Sequence, residues 1–427
     1  MNIQLAYGKA TLNVELTGAD VDVIEPKHQH GLPDERGAVL AALEEPIGAE
    51  PLREWLTKGC RVCITFTDLT RATPNDRIIP WLLEYLHAHG VRQEQITLLN
   101  QLGTHRPNTK AELEKVLTPE VVAGYRVFNH EPENRQAHVQ VGVTESGAQA
   151  LLNRHYVEAD VRITTGFIEP HLFAGFSGSV KGIMPGIAAL ETIVSNHGYR
   201  HIADPLATFG VTEGNPTWEE MRDIALRAGR SFLLNVALNN DREITAVFAG
   251  HLLESHRAGC EYVRDSAMRK VAEPYDTVIT TNSGYPLDLN LYQTAKGICV
   301  AARIVKEGGT IIVASECSEG VPARSAFERL LHSVSGPQEL LELLHHAAAP
   351  VPDQWQAHLQ VKAQQRARIL LYSSMADDDV KAAHLIPGHD IAREIQSILR
   401  EPSSRMRVGV LPRDPLTIPY LAQEQPV

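Results

Sequence analysis

The sequence predicts an α/β protein of two domains, each built on a mostly parallel sheet. Three observations lead there. Apolar runs such as Val62 to Phe66 and Thr310 to Ala314 are too short for helices and are separated by amphipathic stretches. The chain has 427 residues, more than one core ordinarily serves. Pro274 interrupts the pattern, and strand and helix signals restart beyond it. The boundary is placed near residue 272, giving domains 1–271 and 272–427.

The elements follow in order. Ile3, Leu5 and Tyr7, a turn at Gly8, then Leu12, Val14 and Leu16 read as a hairpin. Val62 to Phe66 reads as a buried strand, and a helix from about Asn75 to His89 gathers Ile78, Ile79, Leu82, Leu83 and Leu86 on one face. Gln95 to Asn100 is the next strand. Thr109 and Glu112 have the spacing of a capping box, and Thr118-Pro119 opens another helix. Val161 to Thr165 is a strand that feeds a glycine-rich loop. Asn215-Pro216 starts a helix holding Trp218 and Met221, and Asn239-Asn240-Asp241 turns a hairpin between Phe232–Leu238 and Glu243–Phe248. A long helix is expected from about His251 to Val271. Beyond it come strand Thr277 to Thr281, helix Gln293 to Lys306, a turn at Gly308-Gly309, and strands Thr310 to Ala314, Ile369 to Ser373 and Val408 to Leu411.

Composition narrows the function. With 40 basic and 52 acidic residues the net charge is −12, against a nucleic-acid partner. No apolar run is long enough for a membrane span, and the start lacks a signal segment, so a cytoplasmic location is expected. Cys60 and Cys63 have redox or metal spacing, but they open the run CRVCITF, where residues three apart face opposite sides of a strand. They read as core. His28, His30, His345 and His346 lie in polar surroundings and read as surface.

Four loops hold the chemistry. In TFTDLTRATP, Asp68, Thr70 and Arg71 precede a helix start, where an anion can meet backbone N–H groups and a guanidinium; a plain turn and helix cap is the alternative. In NQLGTHRP, His105 follows a strand and suits acid/base work, or simply bonds its own loop. The third loop, GFIEPHLFAGFSGSVKGIMPG, carries His171, Gly178 and Lys181, with His197 further on. Its histidine and lysine spacings match no standard zinc site, and its glycines match neither a dinucleotide fingerprint nor a Walker loop. The fourth, NSGYPLDLNLYQTAKG, puts Gln293 and Lys296 three apart near a helix start, where they can hold a carboxylate or merely face solvent.

TDLTRATP, GTHRP, FNHEP, GFIEPHLFAGFSGSVKGIMPGIA, SNH and LYQTAKG, in that order, resemble the motifs of the nickel-dependent lactate racemase family. The resemblance implies two α/β domains with the active site in the cleft between them. It implies a nickel-pincer nucleotide, a pyridinium mononucleotide whose thioacid groups and ring carbon hold nickel. Lys181 matches the lysine that anchors this cofactor beside the metal, and His197 the histidine that completes the nickel coordination. Asp68, Leu69, Thr70, Arg71 and Gly178 fall on the cofactor side, with the phosphate on backbone N–H groups of the TDLTR loop. His105 and His171 match the acid/base pair. Arg71, Gln293, Lys296, Tyr292 and Trp355 fall on the substrate side.

The implied chemistry is inversion at C2 of a lactate-like 2-hydroxy acid by reversible hydride transfer through a flat 2-keto acid. A sugar acid or larger 2-hydroxy acid is a second reading, and a non-catalytic carrier of the cofactor a third. A nicotinamide dehydrogenase is disfavoured by the missing fingerprint. Partners implied are the small 2-hydroxy acid and the cofactor-synthesis proteins that load the site, with no membrane and no nucleic acid.

Overall fold

The computed structural model describes residues 1–144, 147–347, 350–399, 406–415 and 417–422. The chain forms two compact units. The first comprises His28–Asn196 and Pro205–Asp265; the second comprises Met1–Lys27, His197–Asp204 and Ser266–Val427. The boundary expected near residue 272 falls just inside the last of these segments, while the first 27 residues and a short internal piece also belong to the second unit.

The first unit holds a six-stranded sheet. Across it run Ile244–His251, Phe232–Leu238, Val161–Phe167, Val62–Thr67, Ile96–Gln101 and Arg126–Asn129. Every neighbouring pair is parallel except Phe232–Leu238 with Ile244–His251, the hairpin expected around Asn239. Strands buried on both faces read as continuous apolar runs, as Val62–Thr67 does. Helix Asn75–Ala88 seats Ile78, Ile79, Leu82 and Leu86 on Ile64, Phe66 and Leu98 in one core. From Val62–Thr67 the chain moves outward to Arg126–Asn129, then returns to place Val161–Phe167 on the other side. The order therefore reverses between Val62–Thr67 and Val161–Phe167. Helices leave such a point in opposite directions and open a crevice beyond the carboxyl ends of the strands.

The second unit holds a wholly parallel sheet of Ile386–Gly388, Ala367–Tyr372, Val305–Ala314, Tyr275–Thr281, Arg407–Leu411 and Asp20–Val23. The N-terminal hairpin, Asn2–Tyr7 with Ala10–Glu15, buries Ile3, Leu5, Val14 and Leu16 against Ile279, Ile312 and Val410. That apolar face explains why the first residues join the second unit.

The capping box at Thr109, the helix at Pro119–Gly124 and the Asn215 cap of Pro216–Arg227 form as expected. Three expectations change. The long helix ends at Ala267, and Met268–Val271 is instead a strand paired with Ile418–Leu421. The helix expected to reach Lys306 stops at Ala302. Gly308-Gly309 is no separate turn but lies within strand Val305–Ala314, where the register with Tyr275–Thr281 shifts. All five cysteines are free, with Cys60 and Cys63 buried as core. Among the described residues no helix is long and apolar enough to cross a membrane.

Candidate active site

In the first unit, three adjacent strands deliver the polar loops to one end of the sheet. Val62–Thr67 runs into Asp68, Ile96–Gln101 into His105, and Val161–Phe167 into the glycine-rich loop. Asp68, 2% exposed, accepts from His105 Nδ1 at 2.8 Å and from the Thr70 hydroxyl at 2.9 Å. Arg71 Nε lies 4.0 Å from its other oxygen. Burial pushes the Asp68 carboxyl up, but the His105 bond and charge, Arg71 and Thr70 together hold it below its ordinary value. An ionised carboxylate only accepts, so His105 Nδ1 carries the proton and Nε2 presents a lone pair. His171 has the opposite character. Its Nδ1 accepts the Ala174 N–H at 3.3 Å, which places the proton of the neutral ring on Nε2. Its ring packs edge-on to Phe173 at 4.7 Å.

The glycine-rich loop is built by close approach. Gly178 has φ +85, and a Cβ there would meet Asn235 Oδ1 at 2.4 Å. That oxygen accepts the Ser179 N–H at 2.9 Å at the start of the short helix Val180–Ile183. Gly182 lies against Gln101, whose amide donates to Thr65 Oγ1 and to the Thr165 carbonyl, tying three strands together beneath the helix. Lys181, half-buried, rides on this seat. His130 and His256 pin the loop elsewhere, through the carbonyls of Ala188 and Ser177. Burial pushes both imidazoles down to about 4.

Two amides of the TDLTR loop are engaged within the fold. Leu69 N–H donates to Asn108 Oδ1 and Arg71 N–H to the Asp68 carbonyl. Beside the loop's other backbone N–H groups, the Arg71 guanidinium and the buried Thr73 hydroxyl, which has no partner at the entry to helix Asn75–Ala88, suit an anion. Thr73-Pro74 ahead of an apolar helix reads from sequence as a plain helix start, and the hydroxyl left without a partner there is what that reading did not anticipate.

In the second unit, Asn290 caps helix Leu291–Ala302 through the Gln293 N–H, which sets Gln293 and Lys296 on the first turns, both half-buried. Trp355 links two further residues. Its indole N–H donates to Tyr292 Oη at 3.0 Å, and its ring meets the His197 ring edge-on at 5.0 Å. His197 is 4% exposed. Among the described residues no group of three or more His, Cys, Asp or Glu is placed to hold a metal ion.

Comparison with known proteins decides the family. Residues 7–210 match the lactate racemase N-terminal domain, and residues 271–414 the lactate racemase C-terminal domain. The chain belongs to the lactate racemase family. A lactate racemase from Thermoanaerobacterium thermosaccharolyticum is 31% identical over 417 residues, covering 96% of this chain and 97% of that protein. One from Lactiplantibacillus plantarum is 32% identical over 383 residues, 88% of this chain and 90% of that one. The apoprotein structure of the Thermoanaerobacterium enzyme superposes with a TM-score of 0.90, covering 98% of this chain and all (100%) of that one. A Thermotoga maritima protein at 19% identity and TM-score 0.68, covering 92% of this chain and 100% of its own, shares the fold.

The residues present fit the nickel-pincer nucleotide implied by that kinship. A single buried imidazole suits a borderline divalent metal that brings its other donors with it. The unpartnered Thr73 hydroxyl beside Arg71 is chemistry for a phosphate.

Proposed function

We propose that the chain inverts the C2 centre of a lactate-like 2-hydroxy acid by reversible hydride transfer through the 2-keto acid. The observation that carries this reading is the opposite tautomers of His105 and His171, a lone pair at one Nε2 and a proton at the other. Family membership supports it.

The nickel-pincer nucleotide, when bound, supplies the electrophilic hydride acceptor. Lys181 is assigned its covalent anchorage, His197 the nickel, and Arg71 with Thr73 the phosphate end. Arg71, Gln293 and Lys296 are assigned the substrate carboxylate and the keto oxygen, with Tyr292 and Trp355 as walls. His105 Nε2 takes the hydroxyl proton as the C2 hydride departs. Asp68 steadies the imidazolium that forms. After the acyl group turns, the returning hydride requires a proton on oxygen. His171, first protonated by solvent to the imidazolium, gives its Nε2 proton to that oxygen and returns to the neutral ring, while His105 releases its own proton to solvent. The opposite direction exchanges the two roles.

Cofactor-loaded protein incubated with enantiopure L- or D-lactate, read by chiral chromatography, is expected to give the racemate from either. A panel of larger 2-hydroxy acids and sugar acids separates lactate from its relatives. Bound cofactor with no interconversion of any of them would return the chain to the carrier reading.

A further inference from the structure

Helix Gln354–Arg366 carries an oddity that the functions above leave unused. His358 is 4% exposed, and neither ring nitrogen has a hydrogen-bond partner. The Gln354 amide nitrogen, one turn earlier on the same helix, is also buried without an acceptor. Such groups are costly to leave unpaired, and native proteins pair nearly all of them.

Their surroundings say what is missing. His358 lines a tight cavity with His197, Tyr199, Ile202, Leu344, Gln354 and Trp355, all within the second unit. The cavity has no space for a water molecule, so water does not satisfy the ring. Trp355, three residues before His358 and so on the same helix face, rests its indole against His197. Tyr199 holds the His358 ring edge-on at 5.1 Å. One helix face thus presents an indole to the His197 ring and an unengaged imidazole to the same cavity.

We propose that His358 is a positioning residue for His197, accepting the N–H of its second ring nitrogen when the first binds nickel. The inference rests on the assignment of nickel to His197. A metal-bound imidazole almost always donates its remaining N–H to a fixed acceptor, which sets the tautomer and strengthens the ring as a ligand. His358 supplies such an acceptor from inside the fold, and the bond removes one unpaired nitrogen.

The test compares wild type, His197→Ala, His358→Phe, His358→Ala and His358→Asn as cofactor-loaded proteins. Nickel loss to an external chelator is followed by metal analysis, and thermal midpoints are measured on the cofactor-free proteins. His358→Phe is expected to shed nickel 10- to 100-fold faster than wild type. Its cofactor-free midpoint should stand at or above the wild-type value, because a bare polar ring is gone. His358→Asn keeps an acceptor oxygen and is expected to recover part of the retention, which also covers the case of a Phe variant that does not fold. Wild-type retention by either His358→Phe or a folded His358→Ala, while His197→Ala loses nickel, overturns the proposal and leaves the nickel assignment standing. An Asn variant that sheds nickel as fast as His358→Ala overturns it too. Full nickel retention by His197→Ala overturns both.

Discussion

Asp68 and His105 form a directed pair. The carboxylate takes the Nδ1 proton at 2.8 Å from a position 2% exposed, and the opposite nitrogen is left to face chemistry. Asp68→Asn can donate to Nδ1 and so favours the wrong tautomer. We expect kcat to fall by about 10²–10⁴-fold with a smaller change in KM, the usual loss for a disabled acid/base group. The pair also has a pH signature. The folded Asp68 value is depressed, so its stabilisation is present above the unfolded carboxylate range and is lost as pH falls through the folded value. Asp68→Asn should therefore cost more stability at pH 7 than at pH 3, as read by urea unfolding.

His105→Ala and His171→Ala should each cripple racemisation in both directions, again by about 10²–10⁴-fold. The mirror-image tautomers add a finer expectation. In rapid-quench experiments each variant should form keto acid from one enantiomer only, and the favoured enantiomer should exchange between the two. Near-normal racemisation by either variant would remove that histidine from the mechanism.

Lys181→Ala should show no covalent cofactor by intact mass, and an unchanged adduct mass would refute the anchorage. Gly182→Ala tests the seat beneath it. A methyl there meets Gln101 at 2.9–3.0 Å and Thr164 Cγ2 at 3.0 Å, and Gln101 is tied to two strands. Overpacking should cost about 1–3 kcal/mol and lower the loaded fraction, with Lys181 itself intact.

Acid should weaken the first unit through His130 and His256. Both are neutral in the fold, pushed from an ordinary 6.5 down to about 4 by burial. As pH falls from about 6.5 toward 4 the unfolded chain takes up protons that the fold refuses, so stability declines across that window. By pH 4.5 each site should have withdrawn on the order of 2–3 kcal/mol. His130→Gln keeps a donor for the Ala188 carbonyl, and its urea midpoint should fall less between pH 7 and 4.5 than that of wild type.

Asp414 should behave in the reverse sense. It is fully buried, which raises its carboxyl well above the ordinary value against the opposing Thr280 hydroxyl bond. Its stabilisation is complete below the unfolded carboxylate value and is lost as pH rises through the folded one. Asp414→Asn is expected to raise the thermal midpoint at pH 8 and to change it little at pH 4. A lower midpoint at pH 8 would count against it.

What the sequence made legible was local. Asn75 to Leu86, Thr109 with Glu112, and the Asn239 turn carry their own periodicity or capping chemistry, so neighbouring residues suffice to read them. Asp20–Val23 and Met268–Val271 do not. Asp-Val-Asp-Val and Met-Arg-Lys-Val become strands only because distant segments pair with them. The candidate site divides the same way. His105, His171 and Lys181 stand out by residue type and loop, but the Asp68 pairing that orients His105 spans 37 positions. His358 sat in a helix whose buried face includes Gln354, Gln356 and Gln360 beside Trp355 and Leu359. No hydrophobic stripe marked it.

The parallel pairing of Asp20–Val23 with Arg407–Val410 sets a schedule for biosynthesis. Asp22 and Arg407, 3.2 Å apart in the finished sheet, leave the ribosome 385 residues apart. At roughly 5–20 residues per second, the early strand waits about 20–80 s for its neighbour. Everything from His28 to Asn196 emerges during that delay, and most of the first unit's sheet can assemble in the meantime. The N-terminal hairpin spends that delay with Ile3, Leu5, Val14 and Leu16 short of the partners that finally cover them.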